Sequence, residues 1–171
     1  MRPDDRPEPP LHADERSTLA GFLDYQRATL EWKCSQLTAA QLAQRAMPPS
    51  SLSLLGIVRH MADVERGWFD RVRTGGDRRP ALFSSSDRPD GDFDGAVPDD
   101  AIVREAFAAW RAAIDESNAV VTSKALDDTF EHPRAGTTSV RWVLVHMIEE
   151  YARHNGHADL LREAIDGTTG D

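Results

Sequence analysis

The spacing of hydrophobic residues predicts four long α-helices. Apolar side chains recur at steps of three and four residues, which places them on one face of a helix. Residues able to cap a helix start, among them Asp14, Asp99 and Ser139, stand at the beginnings of these segments. The predicted helices cover residues 15–37, 53–74, 99–123 and 139–167. Four long helices with substantial connections predict an all-α fold, a four-helix bundle with long crossover connections.

The segments between these helices differ in character. A short turn of helix is predicted after Thr38, and residues 124–138 have room for a short hairpin. Residues 75–100 are dense in Gly, Pro, Ser and Asp. Loops of this length are either functional covers or disordered, and both interpretations stay open here. Residues 1–13 hold four prolines among charges and predict a disordered N-terminal tail, followed by a single bundle domain over residues 14–167.

Composition limits the classes of function. The net charge of −9 argues against nucleic acid as a partner, because phosphate binding needs a basic surface. No apolar run reaches the roughly 20 residues that cross a bilayer, and the acidic N-terminus lacks the apolar core of a secretory signal. The single cysteine, Cys34, cannot form an internal disulfide, and we expect it to be a small buried side chain. These features predict a cytoplasmic protein without a membrane partner.

The second predicted helix carries a histidine beside its apolar face. On a helical projection His60 lies at the rim of the face formed by Ile57, Val64 and their neighbours. Arg59, Asp63, Arg66 and Asp70 project away from that face. We therefore expect His60 to reach toward the core and these four charged side chains to point into solvent.

The last predicted helix carries a stripe of side chains that can bind a metal. His146, Glu150, His154 and His157 fall within a stripe about 80° wide that borders the apolar face. Glu150 and His154 are one turn apart and can chelate one ion, which His60 would complete from across the bundle. Two imidazoles and one carboxylate leave a coordination position open, as in catalytic sites for zinc, and nickel or iron also suits these ligands. A hydrogen-bonded polar patch without metal is the alternative.

Other polar residues near this stripe have open roles. His157 is a fourth ligand, a base beside the ligands that orients groups or accepts a proton, or a hydrogen-bonded histidine near the mouth of the site. Arg141, Arg153 and Arg162 either bind an acidic substrate or belong to a solvated face, and spacing favours the solvated face.

Two segments resemble a known family. Residues 52–72, LSLLGIVRHMADVERGWFDRV, and residues 139–167, SVRWVLVHMIEEYARHNGHADLLREAIDG, are similar to the DinB-like superfamily, in particular to its uncharacterised actinobacterial branch. The mycothiol-dependent maleylpyruvate isomerases are characterised relatives. The resemblance implies a DinB/YfiT-like bundle with a metal held by His60, Glu150 and His154. Many relatives have histidine where this chain has Glu150 and glutamine where it has His157.

The resemblance also implies a chemistry. Characterised relatives use low-molecular-weight thiols such as mycothiol, bacillithiol or glutathione, so the expected function is a metal-dependent thiol S-transferase acting on a small electrophile. The isomerases carry a further C-terminal domain, and their specific activity is therefore not expected here. A metal-dependent hydrolase and a non-enzymatic metal- or ligand-binding stress protein are the alternatives. Family members often pair through bundle faces, which implies a homodimer.

Overall fold

The computed structural model describes residues 6–170 and confirms the predicted helical bundle. Four long helices are joined by two short helices and one hairpin within these residues. In chain order the elements are α1 (Glu15–Cys34), α2 (Ala39–Leu42), α3 (Leu54–Thr74), α4 (Gly91–Asp94), α5 (Asp100–Ser123), β1 (Thr129–His132), β2 (Gly136–Ser139) and α6 (Val140–Asp166). No helix of the described residues has the length and hydropathy needed to span a bilayer.

Local sequence signals explain where the long helices begin and end. In each case the side chain before the first turn accepts a backbone N–H, which satisfies one of the donors left free at a helix start. The four capping residues are Asp14, Ser53, Asp99 and Ser139. Gly75 ends α3 in the left-handed conformation, with φ of 89°, which a glycine adopts without steric cost.

The bundle core lies where α3 packs against α5 and α6, while α1 packs mainly on α6. Apolar side chains from all four long helices are fully buried there, which supplies the main favourable term in folding. They include Leu23, Leu30, Leu54, Leu55, Ile57, Met61, Trp110, Leu144 and Met147.

A buried polar network joins the four long helices. Arg27 of α1 donates two hydrogen bonds to Glu65 of α3, at 2.7 and 2.9 Å. The hydroxyl of Tyr151 on α6 donates to Glu65 at 2.8 Å and accepts the indole N–H of Trp110 on α5 at 2.8 Å. Burial, with the adjacent Glu65 carboxylate, raises the pKa of Tyr151 well above its usual value, so its hydroxyl keeps its proton. Each of the four long helices therefore contributes a side chain to a single buried hydrogen-bonded cluster.

Residues 75–100 cover the face of α3 that was expected to be solvated. The prediction that Arg59, Asp63 and Asp70 point into solvent is wrong, because all three are buried. Asp63 accepts the backbone N–H groups of residues 82–84, and Arg59 donates to the carbonyls of residues 91 and 92. The charged face of α3 thus binds the backbone of the covering segment and leaves few of its polar groups unpaired.

The smaller predicted elements are also present. Thr38 caps α2 through a capping box with Gln41, and β1 pairs antiparallel with β2 in the register that sets Thr129 opposite Ser139. Residues 6–13 hold no helix or strand, and the ring of Pro10 lies against Gly21 of α1. Residues 1–5 lie outside the described residues, so the disordered tail and the single-domain boundary at residue 14 stay predictions.

Candidate metal centre

Helices α3 and α6 bring the three predicted ligands together. One ligand atom each from His60, Glu150 and His154 lies within 4.8 Å of the other two. The Nε2 atom of His154 is 3.7 Å from Oε2 of Glu150, and the ring centroids of His60 and His154 are 4.8 Å apart. Two segments far apart in sequence therefore meet in space, as the helical projection required. That they bind a metal stays a prediction.

Asp92 contacts the ring of His60 at its Nδ1 atom. Its Oδ2 atom is 2.8 Å from Nδ1 of His60, and the ring of Phe93 stacks on the imidazole at 5.2 Å. A carboxylate on one ring nitrogen places the proton there and leaves the lone pair on Nε2, the usual arrangement of a metal-binding histidine. Sequence reasoning did not find Asp92, because it lies in the irregular segment between α3 and α5, where no periodicity predicts the direction of a side chain.

The environment of His154 favours its neutral form. Burial, followed by the positive charges of His60 and His157, lowers the pKa of His154 to about 4. A neutral imidazole keeps the lone pair that a metal ion needs.

Glu150 is a carboxylate without a cationic side chain beside it. Its side chain is 17 % exposed, and its charged-group neighbours among the described residues are His154 at 3.7 Å and His146 at 3.5 Å. A mostly buried carboxylate is costly unless a positive charge offsets it. The set of two imidazole nitrogens and one carboxylate oxygen matches the donors that bind zinc and similar divalent ions. The residues present therefore fit a divalent metal.

A second group of potential ligands overlaps the first. His146, Glu149 and Glu150 also lie within 4.8 Å of one another. Glu149 is exposed and forms an ion pair with Arg153, which already neutralises its charge. The ring of His146 is held by stacking on Trp142, with centroids 4.8 Å apart. This second group has less need of a cation than the first.

His157 lies beside the cluster and not within it. Its Nδ1 atom is 3.5 Å from Nδ1 of His154, so it faces the nitrogen of His154 that points away from Glu150. His157 also lines an apolar groove of about 460 Å³, formed with Met47, Pro49, Ser50, Leu52, Leu160 and Leu161. Its predicted role in catalysis is not tested by these contacts and stays a proposal.

The side chains that the sequence left open have other partners. Arg141, Arg153 and Arg162 each form an ion pair with a carboxylate of the chain. Cys34 is buried, as expected, and burial raises its pKa to about 12, which keeps the thiol protonated and unreactive. None of these four side chains belongs to the cluster around Glu150.

Comparisons with known proteins agree with this architecture. The model of a family described as Mycothiol-S-transferase matches residues 18–167. A solved structure, described as the conserved protein of locus from Enterococcus faecalis, has a TM-score of 0.66 at 15% identity. That match covers 92% of this chain and 100% of the other, and at this identity it shows the fold alone. No curated protein matches the chain.

Proposed function

The chain belongs to the mycothiol-S-transferase family, and on that premise we propose that it is a divalent-metal-dependent transferase. It joins the sulfur of mycothiol to an electrophilic carbon of a small molecule. The observation that supports metal dependence is the cluster of His60, Glu150 and His154, which unites two helices around a carboxylate that has no ion pair with Lys or Arg within residues 6–170.

His60, Glu150 and His154 hold the ion in this proposal. Zinc is the first candidate, and nickel or iron also suits two imidazoles and a carboxylate. A divalent ion at such a site lowers the pKa of a thiol that reaches it, so that the thiol reacts as a thiolate near neutral pH. No cysteine of the chain is needed for this chemistry, and the buried Cys34 is not available for it.

The chain's own residues orient the site and move the proton. In this proposal Asp92 fixes the orientation of the His60 ring through Nδ1, and His157, which lies beside His154, accepts the proton that leaves the thiol. Imidazole suits this role because it gains and loses protons in the neutral range. In the transfer an S–C bond forms, and either a leaving group departs or, at an activated C=C bond, the proton ends on the adjacent carbon.

Elemental analysis of the untreated protein tests the metal. We expect about one divalent ion per chain, loss of that ion in a His154→Ala variant, and retention in a His12→Ala variant, which removes an exposed histidine outside the site. Removal of the ion by a chelator should lower the melting temperature, since a ligand bound to the folded state stabilises it. Full metal content after replacement of both His60 and His154 would contradict the assignment.

Enzyme-dependent consumption of mycothiol with a panel of electrophiles tests the reaction. Hydrolysis of esters or amides without any thiol would instead favour the hydrolase, in which the same site activates water. Metal-free protein whose melting temperature does not change on addition of zinc would favour the non-enzymatic binding protein.

The implied homodimer is tested separately by light scattering of the purified chain.

The role of His157 is tested by a His157→Gln variant. We expect kcat to fall about 100-fold or more while metal content is unchanged, because general acid–base groups contribute about that much to a rate. A parallel loss of metal would contradict this role and would show that His157 acts through its contact with His154.

A further inference from the structure

A cleft opens beside His60. It has a volume of about 520 Å³, and its wall includes His60 and Asp92 from the metal centre. The stacked rings of Trp68 and His132, with centroids 5.0 Å apart, form another part of the wall. We call it the cationic cleft, because the guanidinium groups of Arg71, Arg78 and Arg134 line it.

The three arginines come from different parts of the fold and converge. Arg71 lies on α3, Arg78 in the covering segment and Arg134 in the turn between β1 and β2. A Cβ placed on Gly67 would lie 3.6 Å from Nη1 of Arg78 and 3.7 Å from Nη1 of Arg71. Both guanidinium groups therefore approach α3 at Gly67, which has no side chain. Besides burial, the positive charges of Arg71, Arg134 and Arg78 lower the pKa of His132, as three nearby cations would.

None of the three guanidinium groups forms an ion pair within residues 6–170. The buried Nε–H of Arg71 also has no acceptor there. Other arginines of the chain do have a carboxylate partner, as a net charge of −9 allows. Such paired arginines include Arg27, Arg45, Arg73, Arg79, Arg111, Arg141, Arg153 and Arg162.

The two carboxylates in the wall do not neutralise the cleft. Asp63 accepts hydrogen bonds from the backbone N–H groups of residues 82–84 and from the hydroxyl of Ser84. Asp92 binds His60 and the N–H of Phe93. Both carboxylates are held by the covering segment and by His60, away from an ion pair with these arginines, and three guanidinium groups against two carboxylates leave the wall with a net positive charge.

We propose that the cationic cleft binds a carboxylate of the electrophile and so selects anionic substrates for the transfer. Guanidinium groups bind carboxylates through charge-assisted hydrogen bonds, which are stronger than neutral ones. His60 lines the cleft and also belongs to the proposed metal centre, so the two sites share this side chain. The assignment of this ligand as the electrophile rests on the proposed function.

Binding is tested without metal or thiol. Monomethyl succinate carries one carboxylate and is not electrophilic, and dimethyl succinate is its neutral counterpart. In a chemical-shift titration of chelator-treated protein at low ionic strength, the acid should perturb residues of the cleft and the diester should not. An R78Q/R134Q variant, which changes two exposed side chains, should weaken binding about tenfold or more, since each charge-assisted hydrogen bond lost contributes to affinity.

An R104Q/R111Q variant removes the same charge from α5 and serves as the control. It should bind monomethyl succinate like the wild type, because neither arginine lines the cleft. Equal binding by R78Q/R134Q and the wild type, or equal perturbation by the acid and the diester, would overturn the proposal.

The kinetic test uses monomethyl fumarate and dimethyl fumarate with mycothiol. In each addition the sulfur bonds to one alkene carbon, the π bond breaks and the thiol proton ends on the other carbon. For R78Q/R134Q, kcat/KM with the monoester should fall about tenfold or more, whereas the value with the diester should change by less than about twofold. A loss with both esters would overturn selection by charge.

A third arm asks which reactant carries the anion. Replacing mycothiol with glutathione, which has carboxylates of its own, and pairing it with dimethyl fumarate should give rates that do not depend on Arg78 and Arg134. The proposal would be overturned if the rate with glutathione and dimethyl fumarate depended strongly on Arg78 and Arg134 while the rate with mycothiol and monomethyl fumarate did not. That result would show that the cleft binds a carboxylate of the thiol. Binding of the acid without turnover of any pair would support the subsite and count against the transferase.

Discussion

Asp92 occupies one of the two ring nitrogens of His60. The 2.8 Å contact to Nδ1 leaves Nε2 for a ligand. The sequence predicted His60, Glu150 and His154 because a helix fixes the direction of each side chain from its spacing alone. It did not predict Asp92, since the partner comes from an irregular segment and the contact spans 32 positions of sequence.

An Asp92→Asn variant should weaken metal binding about 10- to 100-fold, the usual effect of removing a carboxylate behind a histidine ligand. An amide offers the ring no negative charge and does not stabilise the tautomer in the same way. Competition with a chromogenic chelator measures the affinity, and thermal unfolding of the same sample shows whether the fold is intact.

Asp94→Asn is the matched control, because Asp94 lies on the same short helix but is exposed and pairs with Arg45. Its metal affinity should equal that of the wild type. Equal losses in the two variants would show that the charge of α4, and not the contact to His60, is what matters.

At the scale of elements, the covering segment binds α3 through the polar face of that helix. Charged residues at helical spacing normally indicate a solvated face, so the sequence placed Arg59, Asp63 and Asp70 in solvent. The composition of residues 75–100 left open whether they form a cover, and the structure places them over α3. Which helix a loop binds depends on contacts distant in sequence, and no local pattern encodes them.

Gly56 allows this cover to approach α3 closely. A Cβ there would lie 2.8 Å from Cδ1 of Phe93, closer than real side chains pack. A Gly56→Ala variant should therefore displace α4, weaken metal binding through Asp92, and lower the free energy of unfolding by about 1–3 kcal/mol. Urea denaturation and the chelator competition measure the two effects.

For Gly156 of α6, substitution by alanine should have the opposite effect on stability. Apart from its chain neighbours and the backbone of its own helix, no atom of residues 6–170 lies within 4 Å of a Cβ at this exposed position. Gly156→Ala should raise the free energy of unfolding by roughly 0.5–1 kcal/mol, because alanine loses less conformational freedom in a helix. Stabilisation by both substitutions would contradict the close approach of Phe93.

For the whole molecule, the bundle was predictable and its polar centre was not. Apolar periodicity and capping residues define four helices, and their burial leaves few alternatives to a bundle. Glu65 and Arg27, however, are charged side chains that spacing alone would assign to solvent, and they are buried because they bind each other. Pairing across helices is information that one sequence does not display.

A Tyr151→Phe variant tests the contribution of this network. Removal of the hydroxyl leaves the indole N–H of Trp110 without its acceptor and takes one donor from Glu65. We expect the free energy of unfolding to fall by about 1–3 kcal/mol in urea denaturation. Tyr25→Phe changes the other tyrosine, whose hydroxyl forms no comparable hydrogen bonds within residues 6–170, and should stay within about 0.5 kcal/mol of the wild type.

The hydrogen bond between Glu65 and Tyr151 also sets the axial alignment of α3 and α6. Glu65 lies five positions after His60, and Tyr151 directly follows Glu150. A slip of one helix past the other by one turn, about 5.4 Å, would break this bond and carry Glu150 out of reach of His60. The spacing of the three proposed ligands therefore depends on a buried hydrogen bond that involves none of them, and core substitutions that shift this bond are expected to change metal affinity from a distance.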